Sequence, residues 1–262
     1  FFHVRLLGEY GGTFDRLPRG YHGNLWALAI SRIFPLKIQP GIPALQVRFS
    51  YGGCRLTRED LVSAYSIHPF LWMPDGNPID MNYITVDDED GGFITRLDLE
   101  SRIAAWKTRR APEEVFDLSA PPNAYTPSSF FEVVERPKSG SLMLDVASGY
   151  LFSTYEFVSF PHEYCGEVNA FDIGIGDVRL HSAGFFDSGF GFGCDGSVKG
   201  TPATLEVIAY ENQIMFSHKQ RILKFFVDRM CEKPERVYGH SELCSSYLRQ
   251  RGPRLPKQFK QP

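Results

Sequence analysis

A single glutamate interrupts an apolar run late in the chain. Glu206 stands in Thr204-Leu-Glu-Val-Ile208, and the alternation of a β-strand places it on the face opposite Leu205 and Val207. Two interpretations of this face stay open: it meets solvent, or it lines a pocket. In a pocket, desolvation would raise the pKa of the Glu206 carboxyl group, which could then accept and return a proton near neutral pH.

A second pattern, Gly-x-Phe-Asp, occurs once in each half of the chain, as Gly12-Thr-Phe-Asp15 and as Gly184-Phe-Phe-Asp187. In both places a glycine-bearing turn and then an apolar strand follow, and Leu28 takes the position of Glu206 in the first copy. Glycine suits tight corners and backbone with positive φ. We therefore interpret the chain as two copies of one β-unit, of which only the second carries a candidate catalytic carboxylate.

Short segments rich in β-branched and aromatic residues, bounded by turn residues, predict an all-β fold. These segments are Leu25–Ile30, Phe34–Ile38, Leu45–Tyr51, Ser141–Val146, Gly149–Phe157, Gly176–His181, Ala203–Tyr210 and Arg221–Asp228. One helix is predicted to start at Thr57, where Asp60 is placed for a capping box. A second, short helix is predicted at Leu99–Thr108.

The stretch Arg109–Ser129 is rich in proline, which removes a backbone donor and fixes φ. It therefore predicts a linker between two domains. Residues 1–110 form the first domain of this interpretation and residues 111–262 the second, with the candidate carboxylate in the second.

The composition argues against a polyanion-binding or membrane-embedded protein. The 262 residues carry 31 acidic and 28 basic side chains, well mixed, and a formal charge of -3. Without a basic face, neither DNA nor RNA is an expected partner, and the sequence has no apolar run long enough to span a membrane. A hydrophobic share of 43% is enough for a sizeable core.

Five cysteines are scattered along the chain without a C-x-x-C pair, which predicts free thiols in a reducing cytoplasm. One zinc-enzyme signature is H-x-E followed by P-C-x-x-C, which supplies three ligands of a tetrahedral site. His240-Ser-Glu242 imitates the first half, but only Cys244 follows, so no zinc site is predicted.

An acidic run, Asp87-Asp-Glu-Asp90, precedes two glycines. We interpret it as a solvated hairpin turn, with a magnesium site as the weaker alternative.

Several runs, in the same order along nearly the whole chain, resemble the two-domain bacterial deoxycytidine triphosphate (dCTP) deaminases of the dUTPase-like superfamily. The runs are Phe14–Gly23, Phe130-Phe-Glu132, Tyr155–Pro161, Asp177–Gly191, Thr204-Leu-Glu-Val207, Tyr238-Gly239 and Ser245–Gln250. The resemblance implies a mainly β fold of two tandem dUTPase-like (β-clip) barrel units with a few short helices. It also implies hydrolysis of dCTP to deoxyuridine triphosphate (dUTP) and ammonia, a step of pyrimidine deoxynucleotide synthesis.

The resemblance also assigns catalytic roles. Glu206 matches the glutamate that activates the water attacking C4 of cytosine, and the backbone of Ala183 matches a group that holds the water and the amine. A glutamate of raised pKa can serve as base and then as acid, so the step needs no metal ion. Magnesium is expected only with the triphosphate.

The substrate-binding roles follow in the same way. Asp187 matches an aspartate beside the deoxyribose, and Thr204 and Leu205 match residues that line the base. Tyr238 and Gln250 match positions in a C-terminal tail that closes over the nucleotide. Homo-oligomerisation stays open.

The sequence departs from the family in its phosphate-binding groups. Where relatives have Arg-Ser-Ser or Lys-Ser-Ser, the second copy reads Asn169-Ala-Phe-Asp-Ile-Gly174, and the tail lysine is replaced by Ser246. In the two-domain type that run belongs to the first domain, just before the position of Phe1, so we expect an incomplete first domain and weak activity. Two alternatives stay open: an inactive nucleotide-binding or structural remnant, and a dUTPase-type pyrophosphatase.

Overall fold

β-Strands dominate this computed structural model, which describes residues 2–9, 12–170, 178–180, 184–210, 212–243, 245 and 247–262. The strands are β1 (Phe2–Gly8), β2 (Leu25–Ser31), β3 (Leu36–Lys37), β4 (Leu71–Trp72), β5 (Phe93–Asp98), β6 (Ile103–Thr108), β7 (Phe116–Asp117), β8 (Phe131–Glu135), β9 (Ser141–Leu144), β10 (Ser148–Val158), β11 (Tyr164–Ala170), β12 (Val178–Leu180), β13 (Gly184–Phe186), β14 (Thr201–Ala209), β15 (Ile214–Ser217) and β16 (Arg221–Arg229). The helix α1 covers Arg58–Ile67, and 3₁₀ turns lie at Met81–Tyr83 and Pro127–Ser129. The predicted mainly β fold is confirmed.

A curled ten-stranded sheet forms the body of the molecule. Its main path runs β12-β14-β10-β5-β16-β11-β13, while β4 and β6 also pair with β10, and β8 pairs with β6. The largest core cluster lies on this sheet and includes the buried side chains of Phe152, Leu205, Val207 and Phe225. Since β10 is the long antiparallel partner of β14, it fixes the register of that strand, with Leu151 opposite Glu206.

The two predicted copies share one strand arrangement. In the first, β1 precedes the Gly-x-Phe-Asp turn and pairs antiparallel with β2, which follows it. In the second, β12 precedes the turn and pairs antiparallel with β14. The copies differ in their surroundings, because β14 also pairs with β10, whereas β1 and β2 form a two-stranded sheet that leaves Trp26 and Leu28 exposed.

Most of the predicted strands are present, and the helix predicted at Thr57 is confirmed, with the Thr57 side chain accepting a hydrogen bond from the backbone N–H of Asp60. Two predictions were wrong. Leu45–Tyr51 is irregular rather than a strand. Leu99–Thr108 is not a helix, because Ile103–Thr108 forms β6 and pairs with β8 and β10, which buries Trp106.

The proline-rich stretch is anchored to the body rather than free. Phe116 and Tyr125 within it pack against Phe130 and Phe259, and Phe259 also packs against Phe131. The four ring centroids lie 5.2–5.7 Å from that of Phe259. The resulting aromatic cluster, which also includes Phe34, joins the early part of the chain to its C-terminal tail.

The domain boundary near residue 110 stays a prediction. The strands β5 and β6 precede this boundary, yet they pair with β10, β16 and β8, which follow it. Among the described helical segments, none has the length and apolarity needed to cross a bilayer.

We predict that Phe259→Ala lowers the free energy of unfolding by about 3–5 kcal/mol, the usual cost of removing a buried aromatic ring. Phe259 is 1% exposed, whereas Phe49 is 95% exposed, so Phe49→Ala is the matched control and should change stability little. Urea denaturation of both variants measures the difference. Equal stabilities would show that the aromatic cluster does not hold the tail.

Candidate active site

The strand β14 presents two polar side chains on one face. Leu205 and Val207 are buried in the core, while Thr204 and Glu206 are half-buried on the other face, as the alternation predicted. Ile208, expected on the Glu206 face, is buried as well. The Leu205 side chain is 5% exposed and packs in the core, so a contact between Leu205 and a base would have to come from its backbone.

The C-terminal tail crosses this face at Thr204. The side-chain amide of Gln250 donates a hydrogen bond to Thr204 Oγ1 at 3.1 Å, and the backbone N–H of Arg254 donates to the same oxygen at 3.3 Å. Gln250 also donates to the backbone carbonyl of Pro202 and is buried. Two of the predicted site residues, Thr204 and Gln250, are thus in direct contact.

Tyr238 and Tyr247 continue the tail's contacts toward Glu206. The backbone N–H of Tyr247 donates to the Tyr238 hydroxyl at 3.0 Å. The pKa of Tyr247 is raised to about 12, mainly by burial of the hydroxyl group and to a smaller extent by electrostatic interaction with Tyr238 and Glu206. Tyr247 therefore stays protonated at neutral pH, within electrostatic range of the Glu206 carboxylate.

Asp187 lies at the end of β13 and is linked to the tail through aromatic rings. The Phe186 ring packs on Phe190 at 4.7 Å, and Phe190 packs on Tyr238 at 5.2 Å. The backbone N–H of Tyr238 also donates to the carbonyl of Ser188 at 2.8 Å. These contacts fix the Gly-x-Phe-Asp turn and the tail relative to each other.

The surroundings of Asp187 contain a residue that the sequence did not indicate. Asp187 Oδ1 accepts a hydrogen bond from Gln46 Nε2 at 2.7 Å, although the two residues are far apart in the chain. Asp187 is exposed, but partial desolvation of its carboxyl group raises the pKa of Asp187, and the Gln46 hydrogen bond opposes that shift. Ala183, Cys244 and Ser246 lie outside the described residues.

A pocket of about 450 Å³ lies beside the hairpin of β1 and β2 in the first copy. Arg16 and Glu9 line it, and Glu9 accepts a hydrogen bond from the backbone N–H of Asn24 at 3.1 Å. The counterpart of Glu206 here is Leu28. We therefore place the candidate active site in the second copy.

The H-x-E run and the acidic run Asp87-Asp-Glu-Asp90 were the two possible metal sites in the sequence. Within the described residues, no three His, Cys, Asp or Glu side chains are grouped to hold a metal ion. Glu242 of the H-x-E run pairs with Arg236 at 3.2 Å. Asp87 and Asp90 both bind Lys224 Nζ, at 2.7 and 3.0 Å, which is the arrangement of an ion-paired turn.

Of the functional candidates, Tyr247, Gln46 and Arg254 were missed from the sequence. Tyr247 stands inside the tail run Ser245–Gln250 and could have been found there. Gln46 and Arg254 reach the site only through the tertiary fold, and no local pattern marks them.

Comparisons with known proteins identify the family of the chain. The family model described as "2'-deoxycytidine 5'-triphosphate deaminase (DCD), C-terminal domain" matches residues 79–259, and the model of the N-terminal domain matches residues 2–53. No match was found among curated proteins.

A solved structure shares the fold. The crystal structure of 2'-deoxycytidine 5'-triphosphate deaminase from Agrobacterium tumefaciens matches with a TM-score of 0.70 and 23% identity, over 89% of this chain. The present chain spans 66% of that protein's length. Since the C-terminal family model covers more than half of the chain and includes Thr204, Glu206, Tyr247 and Gln250, the protein belongs to the 2'-deoxycytidine 5'-triphosphate deaminase (DCD) family.

Proposed function

We propose that this chain catalyses the hydrolytic deamination of dCTP to dUTP and ammonia, with Glu206 as the group that activates water. The observation that carries the proposal is the tail-covered face of β14. There, half-buried Glu206 shares the face with Thr204, whose hydroxyl is hydrogen-bonded to the tail, and interacts electrostatically with partly buried Tyr247. A carboxylate partly shielded from water, in a chain of this family, is the arrangement that acid–base catalysis requires.

The proposed reaction uses one carboxyl group twice. The Glu206 carboxylate takes a proton from water as the water oxygen bonds to C4 of cytosine. The protonated carboxyl group then gives its proton to the exocyclic amine, the C4–N bond breaks, and ammonia leaves. Glu206 ends the cycle ionised, so the atoms and charges balance without a further reactant.

In this proposal the C-terminal tail positions Thr204 and does not transfer protons. Gln250 and Arg254 hold Thr204, and the protonated hydroxyl of Tyr247 lies within electrostatic range of the carboxylate. Covering this face also excludes bulk water, which strengthens the electrostatic interactions of Glu206 with a bound base.

The partner of this site is a small nucleotide rather than DNA or RNA, with magnesium bound to the triphosphate as part of the substrate. The described cysteines Cys54, Cys165, Cys194 and Cys231 are free thiols, which supports a reducing cytoplasm as the location.

We predict that Glu206→Gln lowers kcat for ammonia release from dCTP by about 100-fold or more, because an amide cannot accept the water's proton. Glu135→Gln is the matched control, since Glu135 is an exposed glutamate on the strand β8. Ammonia production by a coupled assay gives the rates. If Glu206→Gln retains the wild-type rate, then Glu206 is not the base.

We predict that deamination survives zinc chelators and requires magnesium, because the carboxylate replaces a metal-bound hydroxide while the triphosphate still needs charge neutralisation. Assays after dialysis against a zinc-selective chelator, with and without added Mg²⁺, separate the two effects. Stoichiometric zinc in the purified protein, lost together with activity, would contradict the proposed mechanism.

A further inference from the structure

A pocket of about 270 Å³ opens between residues 46–54 and the end of β13. Its lining includes Gln46, Arg48, Phe185, Asp187 and Asp228. Gln46 and Arg48 belong to the segment matched by the N-terminal family model, whereas the other three lie in the segment matched by the C-terminal model. The pocket is therefore built by both family segments together.

An ion-pair cluster holds the N-terminal wall of this pocket. Arg48 pairs with Asp228 at 2.7 Å and with Glu167 at 3.0 Å, and Arg55 pairs with Glu167 at 2.6 Å and with Asp228 at 3.3 Å. Because the Asp228 carboxylate is buried, losing these partners would leave a buried charge unpaired.

Two aromatic rings add to this attachment. The Arg48 guanidinium lies 4.4 Å above the Phe185 ring, and that of Arg55 lies 4.1 Å above Phe226. These contacts fix Arg48, and Gln46 lies only two residues before it.

Gln46 in turn orients the carboxylate of Asp187. Its amide donates to Oδ1 at 2.7 Å, which directs any further hydrogen-bond donor toward Oδ2. Two guanidinium groups line this pocket: Arg48 already pairs with two carboxylates, and Arg229 lies 3.8 Å from Asp60. Because three carboxylates, those of Asp187, Asp228 and Glu232, line the same pocket, it suits a neutral hydroxyl better than a phosphate. In dCTP the sugar has a single free hydroxyl, on C3′, because C5′ is esterified and C2′ carries none.

We infer that Gln46 is a positioning residue that holds Asp187 for the C3′ hydroxyl of the substrate, and that the Arg48–Arg55 cluster fixes Gln46 in place. This inference rests on the proposed function. It gives the N-terminal segment a role in substrate binding, through Gln46.

The test is steady-state kinetics with dCTP and with its 2′,3′-dideoxy analogue, for the wild type, Gln46→Ala and Gln39→Ala. Gln46 is exposed, so its truncation should leave folding intact, and Gln39 is an exposed glutamine of the same segment that serves as the control. We expect Gln46→Ala to raise KM for dCTP about tenfold, the scale of a hydrogen bond to a charged group, with kcat nearly unchanged. The KM of the dideoxy analogue should not change.

The pH dependence gives a second readout. The Gln46 hydrogen bond lowers the pKa of Asp187, so its removal raises that pKa further. Only the ionised carboxylate accepts a hydrogen bond from the hydroxyl without a competing proton, so KM for dCTP should rise as the pH falls through the pKa of Asp187. In Gln46→Ala this rise should begin at a higher pH than in the wild type. A structural role alone would not move this profile.

The outcomes are distinguishable. If the wild type turns over dCTP and Gln46→Ala keeps its preference for dCTP over the dideoxy analogue, the inference about Gln46 is wrong and the proposed function stands. If the wild type releases no ammonia from dCTP, the proposed function fails and the inference fails with it.

Discussion

The hydroxyl group of Thr204 joins the C-terminal tail to the central sheet. It accepts hydrogen bonds from the Gln250 side chain and from the Arg254 backbone, and it stands on the same face of β14 as Glu206. Without the tail, this face would meet solvent, which is the simpler interpretation of the sequence. With the tail in place, Thr204 and Glu206 are half-buried.

The two family segments depend on each other through charge. The buried carboxylate of Asp228, on β16, is stabilised by Arg48, in the N-terminal family segment, and by Arg55, which follows that segment and precedes the helix α1. The N-terminal segment is therefore attached to the central sheet by ion pairs as well as by the aromatic cluster around Phe259. In our proposal, the second copy carries the catalytic carboxylate and the first contributes Gln46 beside Asp187.

Local patterns predicted the elements whose structure is set locally. The cap at Thr57 and the alternation around Glu206 need only neighbouring residues, and both were predicted correctly. Leu99–Thr108 was mistaken for a helix, because its β-structure comes from pairing with distant β8 and β10. The aromatic contacts of the proline-rich stretch were not predicted, because its partners, above all Phe259, lie at the other end of the sequence.

The residues of the site likewise include some that sequence motifs indicate and some that only the tertiary fold brings together. Glu206, Thr204 and Gln250 could be named from motifs, and the contact of Gln250 with Thr204 joins two of them. Gln46 and Arg48 could not be named, because the pocket at Asp187 exists only once the N-terminal segment has docked on β11 and β16. Arg48 is recognisable only in the tertiary fold, where the buried carboxylate of Asp228 needs a partner.

The central claim is that water, activated in the second copy, attacks the base and leaves the triphosphate intact. Mass spectrometry of the products formed from dCTP in ¹⁸O-labelled water tests it most directly. The account predicts dUTP with one ¹⁸O atom on C4 of the base and an unlabelled triphosphate, together with one equivalent of ammonia. Label on phosphate with an unchanged cytosine would indicate a pyrophosphatase and contradict the account.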